Sequence, residues 1–174
     1  MAKRINIVDK GKDYERIIAK KFSQWYNSEF RRVPQSGGFD KRVISGDIFL
    51  VDKIEQKNFL FSIECKKVES WEFNPLLSTS SEATKLMKFW DQASNDATIA
   101  GKKPIVVFSK NFYPDYCMME YSTTLSTLIE QYGISNYFLY KTTYQGIPVM
   151  LCITLLDNLF RIDPKNFKIR RSPL

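Results

Sequence analysis

The sequence predicts an α/β fold, a central mixed β-sheet flanked by helices, in the order α-β-β-β-α-β followed by α-β-β. Two kinds of observation carry this. Residues 12–28 and 83–100 place apolar side chains at helical spacing. Between and after them stand short runs rich in β-branched and aromatic residues, bounded by turn formers. A third observation sets the sheet type. "PIVVFS", 104–109, is apolar throughout and follows a helix, the pattern of an inner strand beside a parallel neighbour.

The elements follow in chain order. In "KDYERIIAKKFSQWYNS", Tyr14, Ile17, Ile18, Phe22 and Trp25 form the apolar stripe, and Asp13 and Glu15 sit in the first turn, where carboxylates suit the helix dipole. "EFRRVP" reads as a short strand. "QSGGFDKRVISG" reads as a loop carrying Lys41 and Arg42. "DIFLVDK" and "NFLFSIECKK" are two further strands, and "IEQK" between them is short enough for a hairpin. Pro75 and a Ser/Thr cluster make 68–82 a loop ending in a helix cap. The next helix buries Ala83, Leu86, Met87, Trp90, Ala93 and Ala97 and stops at Gly101. Beyond "KNFYPDY", "STTLSTLIEQYG" is a short helix, and "NYFLYKTT" and "PVMLCITLL" form a hairpin around "YQGI". The basic tail "DPKNFKIRRSPL" is expected to be poorly ordered at its end. A single domain over 1–174 is expected, with a core over 10–110 and an extension over 111–174.

Composition narrows the chemistry. The 174 residues contain no histidine, which excludes Ser-His-Asp and Cys-His catalysis and imidazole metal ligands. Cys65, Cys117 and Cys152 are odd in number and widely spaced, so they read as small buried hydrophobes rather than a disulfide or zinc framework. No signal-peptide segment or ~18-residue apolar run is present, so a cytoplasmic protein without a membrane span is expected. The net charge of +7 is uneven. Residues 1–42 hold 11 basic and 5 acidic side chains (net +6), 161–174 hold 5 and 1 (net +4), and 43–160 hold 10 and 13 (net −3). Basic ends suit a phosphate backbone, or they are solvated surface lysines.

One constellation stands out. Alternate residues of a strand share a face, so Glu64 and Lys66 lie side by side, about 7 Å apart along it. The spacing itself is common. Glu29/Arg31, Asp40/Arg42, Glu55/Lys57 and Asp163/Lys165 share it, but only Glu64/Lys66 ends a continuously apolar strand. Asp47 opens the preceding strand, and antiparallel pairing brings it to Glu64. Two carboxylates with waters and phosphate oxygens describe a Mg²⁺ site, with the Cys65 backbone carbonyl as a further ligand. Lys66 would then orient a nucleophile or stabilise a phosphate, which is metal-assisted phosphodiester hydrolysis. The competing reading is a solvent-facing salt bridge. Glu15 borders its helix stripe and points at the sheet, or serves only the helix dipole.

The ordered set "ERIIAKKF", "FRRVPQSGG", "SGDIFLVD", "FSIECKK" and "KKPIVVFSK" resembles the PD-(D/E)xK nuclease superfamily, and within it most of all the archaeal-type Holliday junction resolvases and their phage relatives. The resemblance covers about residues 10–110. It implies a restriction-endonuclease-like αβββαβ core, here with a C-terminal α-β-hairpin extension. It implies that Asp47 and Glu64 hold Mg²⁺ (with Mn²⁺ able to substitute), that Lys66 assists the attacking water, and that Glu15 completes the acidic cluster. Arg16, Arg32 and Ser36 would contact the scissile strand or neighbouring phosphates, and Lys41 and Arg42 of the loop would join them on DNA. It also implies a homodimer that cuts opposite strands of a four-way junction, with no nucleotide cofactor.

Departures from the pattern are local. Asp47 follows "SG" where Pro-Asp is common in the superfamily, and 68–82 and 111–174 have no counterpart. Restriction and repair nucleases share the core, so a nuclease of duplex or single-stranded DNA is the enzymatic rival. A non-catalytic DNA-binding module is the rival of another class. Gln92 is a surface glutamine or a neighbour of the metal site, and Trp71 and Phe73 pack on the core or stack on bases.

Overall fold

The computed structural model describes residues 7–34, 40, 42–68 and 84–168. Ser36, Lys41, Trp71 and Phe73 lie outside the described residues. Helix α1 (Ile7–Tyr26) leads to β1 (Phe30–Arg32), β2 (Ile48–Leu50), a short α2 (Lys53–Asn58) and β3 (Phe61–Val68). Helix α3 (Thr84–Ile99), β4 (Lys103–Lys110), β5 (Tyr116–Glu120), α4 (Thr123–Gln131), β6 (Tyr137–Tyr144), β7 (Ile147–Leu155) and α5 (Leu156–Leu159) follow, and then a 3₁₀ turn (Pro164–Phe167).

All seven strands form one mixed sheet in the order β1-β2-β3-β4-β5-β7-β6. The first three form an antiparallel meander, and β4 pairs parallel to β3 with Glu64 opposite Val106 and Lys66 opposite Phe108. That arrangement is the expected α/β architecture with a restriction-endonuclease-like core. A parallel neighbour needs a crossover, and α3 provides it across one face. Leu86, Trp90 and Ala93 of α3 pack there on Val106, Phe108 and Met118. Helices α1, α4 and α5 cover the other face, where Ile18 and Phe22 meet Ile63, Val107, Leu128 and Leu156.

The buried arc of α1 contains Tyr14, Ile18, Ala19, Phe22 and Tyr26. Ile17, assigned to that stripe from the sequence, is exposed because it falls on the side of the helix away from Phe22 and Ala19. The helix also begins earlier than residue 12. Its aromatic residues interlock with the sheet. Phe22 contacts Phe30 and Phe160, and Tyr26 contacts Phe59, with ring centroids 5.1–5.6 Å apart.

Two further expectations are corrected. The 54–57 link is no hairpin turn. Asp52 accepts hydrogen bonds from the Ile54 and Glu55 N–H groups and caps a helical turn. Residues 116–120, given no strand from the sequence, form β5 between β4 and β7. The start of the tail packs on the core, with Phe167 buried and the Lys168 ammonium 2.8 Å from Glu55, while its end lies outside the described residues. The predicted β6–β7 hairpin is present, and Gln145 and Gly146 take left-handed φ of 49° and 80° in its two-residue turn.

Candidate functional site

The site lies where β2 stops pairing with β3. The β2–β3 ladder ends at Ile48 opposite Ile63. Just before it, the Asp47 N–H donates to the Ile63 carbonyl at 2.7 Å. Beyond Ile63 the neighbour of β3 is no longer a strand but the Asp47 side chain, whose Oδ2 accepts the Cys65 N–H at 2.7 Å. A carboxylate thus takes the place of a ladder carbonyl. Gly46 permits this close approach. It sits at φ 79°, and a Cβ there would lie 2.3 Å from the Ile63 carbonyl oxygen. The glycine before Asp47 is therefore a steric requirement of this backbone.

Strand alternation does the rest. Phe61, Ile63 and Cys65 turn into the α1 layer, and Ser62, Glu64 and Lys66 turn toward α3. Glu64 is buried, with its side chain 2% exposed, and Lys66, its side chain 22% exposed, donates from its ammonium to Glu64 Oε1. Lys66 also lies 6.0 Å from the centre of the Phe89 ring. Asp47 lies close enough to Glu64 for its charge to act strongly on the Glu64 carboxyl.

Electrostatics mark the cluster. Burial and then the Asp47 charge push the Glu64 carboxyl up to about 7, against the pull of Lys66. Burial likewise raises Asp47, opposed by the Cys65 N–H and Lys66. Glu15 is raised by burial and by Asp47 and held back by Arg32, whose Nη1 lies 3.4 Å from it. So Glu15 faces the cluster from α1, paired with a cation of its own.

The predicted DNA contacts are dispersed. Arg16 is exposed and ion-paired with Asp13. Arg42 is exposed and binds Asp40, 3.0 Å away. Arg32 turns inward to Glu15 and to the Val33 carbonyl, at 3.1 Å. Gln92 is exposed on α3. Its place is taken by a residue that sequence reasoning passed over. Asp96, one helical turn further on, is half-buried, and its charge raises both Asp47 and Glu64. The signal was available, since Asp96 shares the Gln92 face at i+4.

A family model described as "Phage putative PDDEXK endonuclease" matches residues 6–168. The chain belongs to this family. No curated protein and no solved structure matches it. The match places the chain in the PD-(D/E)xK superfamily, and it spans the β5–β7 region as well as the core. PD-(D/E)xK nucleases generally work with divalent metal ions.

This PDDEXK family member offers donors that fit such an ion. Among the described residues, no three His, Cys, Asp or Glu side chains converge on a common point. The Cys65 thiol is buried in the α1 layer and contributes no sulfur. What remains is two carboxylates and, on the same edge of β3, the Cys65 carbonyl. An all-oxygen set completed by water and phosphate is the preference of a hard cation. Two mutually repelling, desolvated carboxylates are also a site whose protein cost falls when a cation arrives. Among the described residues, no helix is long and apolar enough to cross a membrane.

Proposed function

We propose that the chain is a Mg²⁺-dependent DNA endonuclease that hydrolyses phosphodiester bonds, acts on four-way branched DNA and works as a homodimer. The observation that carries the nuclease reading is Asp47 and Glu64 side by side at the open edge of β3, with Lys66 on Glu64. The branched substrate and the two-fold assembly are supported by the likeness of the "FSIECKK" and "SGDIFLVD" segments to junction resolvases.

In this reading Asp47, Glu64 and the Cys65 carbonyl hold the ion, with Mn²⁺ able to replace Mg²⁺. When bound there, a divalent ion would supply Lewis-acid activation of a water and charge neutralisation at the phosphate. Lys66 places its ammonium beside the attacked phosphate and holds the water in line. Glu64 fixes that ammonium. Arg32 pairs with Glu15 and opposes the rise that burial and Asp47 cause, and Glu15 completes the acidic cluster. Arg16, Ser36, Lys41 and Arg42, with the basic termini, bind flanking phosphates.

The test is a substrate panel of four-way junction, linear duplex, single strand and flap, each with Mg²⁺ or EDTA. Paired nicks across the junction, dependent on Mg²⁺, are expected, together with the solution mass of a dimer. Cleavage of linear duplex at one sequence would replace the resolvase with a restriction-type enzyme. Binding with no cleavage at any divalent metal would leave a DNA-binding module.

A further inference from the structure

The turn between β4 and β5, residues 111–115, lies at the same end of the sheet as the acidic site. Val68 pairs with Lys110, so the turn projects beyond the ends of β3 and β4, on the order of 10–15 Å from Lys66 by strand rise. Its tip is unusual. Phe112 is fully exposed and takes φ of 65°, a left-handed conformation that a bulky side chain rarely adopts. Tyr113 beside it is also exposed, and the Lys110 ammonium sits 3.8 Å from the centre of its ring.

The base of this turn is pinned. Asp115 accepts the Tyr14 hydroxyl at 2.9 Å and the Lys21 ammonium at 2.7 Å, both from α1. Ser109 donates to the Tyr113 carbonyl at 3.1 Å, and Lys67 donates to Ser109 at 3.1 Å. A rigid mount, Lys67 included, therefore carries a strained, solvent-facing aromatic tip with the Lys110 ammonium at its foot. Held strain with no packing to repay it points to a contact made outside the chain.

We propose that the β4–β5 turn is a stacking platform for a DNA base displaced from the duplex near the cleaved phosphate, with Phe112 as the contact and Lys110 binding the adjoining backbone. An aromatic face at the tip and a cation at the foot match the two parts of an unpaired nucleotide. The separation from Lys66 corresponds to about three or four base steps of 3.4 Å. Base pairs beside a branch point stack on fewer neighbours than those inside a duplex, so a platform for a displaced base gives branched DNA a means of recognition. This inference rests on the nuclease reading above.

The test uses the full chain in EDTA, where binding is read without cleavage. Probes are a paired duplex, the same duplex with one unpaired 2-aminopurine, and a four-way junction with 2-aminopurine at the branch. Wild type is expected to quench the unpaired base. Phe112→Ala should lose the quenching and bind the unpaired-base probe roughly tenfold more weakly, with a smaller loss on paired duplex. Phe112→Trp should restore both. Phe112→Gly, which suits the left-handed φ, should lose quenching with a melting temperature at or above that of wild type. Quenching retained by Phe112→Ala, or equal losses on paired and unpaired probes, would overturn the proposal. So would a change of solution mass, which would assign Phe112 to a subunit contact. Cleavage by wild type in Mg²⁺ is scored separately. Quenching without cleavage sinks the nuclease reading alone, and cleavage without quenching sinks the platform alone.

Discussion

Asp40/Arg42 and Glu64/Lys66 have the same acid-x-base spacing and opposite chemistry. The first pair stands in solvent, its side chains 48% and 80% exposed, and hydrogen bonds from Arg42 hold the Asp40 carboxyl below the usual carboxylate range. The second is buried at the end of β3, where desolvation and Asp47 lift Glu64 to about 7. The other three triplets fall on the solvent side of this comparison. Glu29 binds Arg31 in the open, Glu55 turns to Lys168 and Tyr26, and Asp163 caps the backbone of Lys165. Spacing sets which residues can meet. Burial beside a second carboxylate sets what the meeting costs, and that cost is what a cation relieves.

The largest effects are expected where the buried pair is broken. Lys66→Met and Glu64→Gln should each lower the cleavage rate by about 10²–10³-fold or more, measured as single-turnover nicking in Mg²⁺. Glu29→Gln, at an exposed triplet, should leave the rate unchanged and cost no more than about 0.5 kcal/mol of stability. Equal losses in both would break the comparison.

Gly46→Ala tests the approach that places Asp47. A Cβ 2.3 Å from the Ile63 carbonyl, at a left-handed φ, forces β2 away from β3. A destabilisation of about 2 kcal/mol or more is expected, read by chemical denaturation, with cleavage falling further than stability explains. Wild-type behaviour would show that Asp47 can be placed without this contact.

Lys102 sharpens the comparison with a half-buried charge that has no carboxylate partner among the described residues. Burial lowers it to about 8, although its ammonium donates to the Gln56 carbonyl at 2.8 Å and lies 5.7 Å from the Phe59 ring centre. A lysine lowered on folding is penalised while both states are charged, below pH 8. The penalty fades as pH rises from 8 toward the unfolded value near 10.5, because the folded chain then holds fewer protons. Lys102→Met should therefore be more stable than wild type at pH 7 by about 1–2 kcal/mol, a figure reduced for partial solvation. The difference should shrink by pH 9.5. A constant difference would remove desolvation as the cause.

Much of this was legible in the sequence because periodicity and turn chemistry are local. The two long helices, the three strands of the meander and the parallel β4 follow from side-chain alternation and from Gly and Pro positions. Asp47, Glu64 and Lys66 follow from register. What was missed is non-local or ambiguous. The β5 strand, "YCMME", carries Met and Cys, which have no strong strand signature, and its identity comes from pairing with β7, over thirty residues away. The α2 cap was visible in Asp52 and Glu55 but competed with a hairpin reading of equal length. The inward turn of Arg32 depends on Glu15 across the α1–β1 contact, which no spacing in the chain encodes.

The central claim is that Asp47 and Glu64 share one cation. It is tested most directly by calorimetric titration of Mn²⁺ into the full chain as wild type, Asp47→Asn and Glu29→Gln. Asparagine retains an oxygen to accept the Cys65 N–H, so Asp47→Asn removes the charge and keeps the bond. Wild type and Glu29→Gln are expected to bind the ion with equal affinity, and Asp47→Asn to show no binding over the same range. Binding by Asp47→Asn as tight as by wild type would contradict the account.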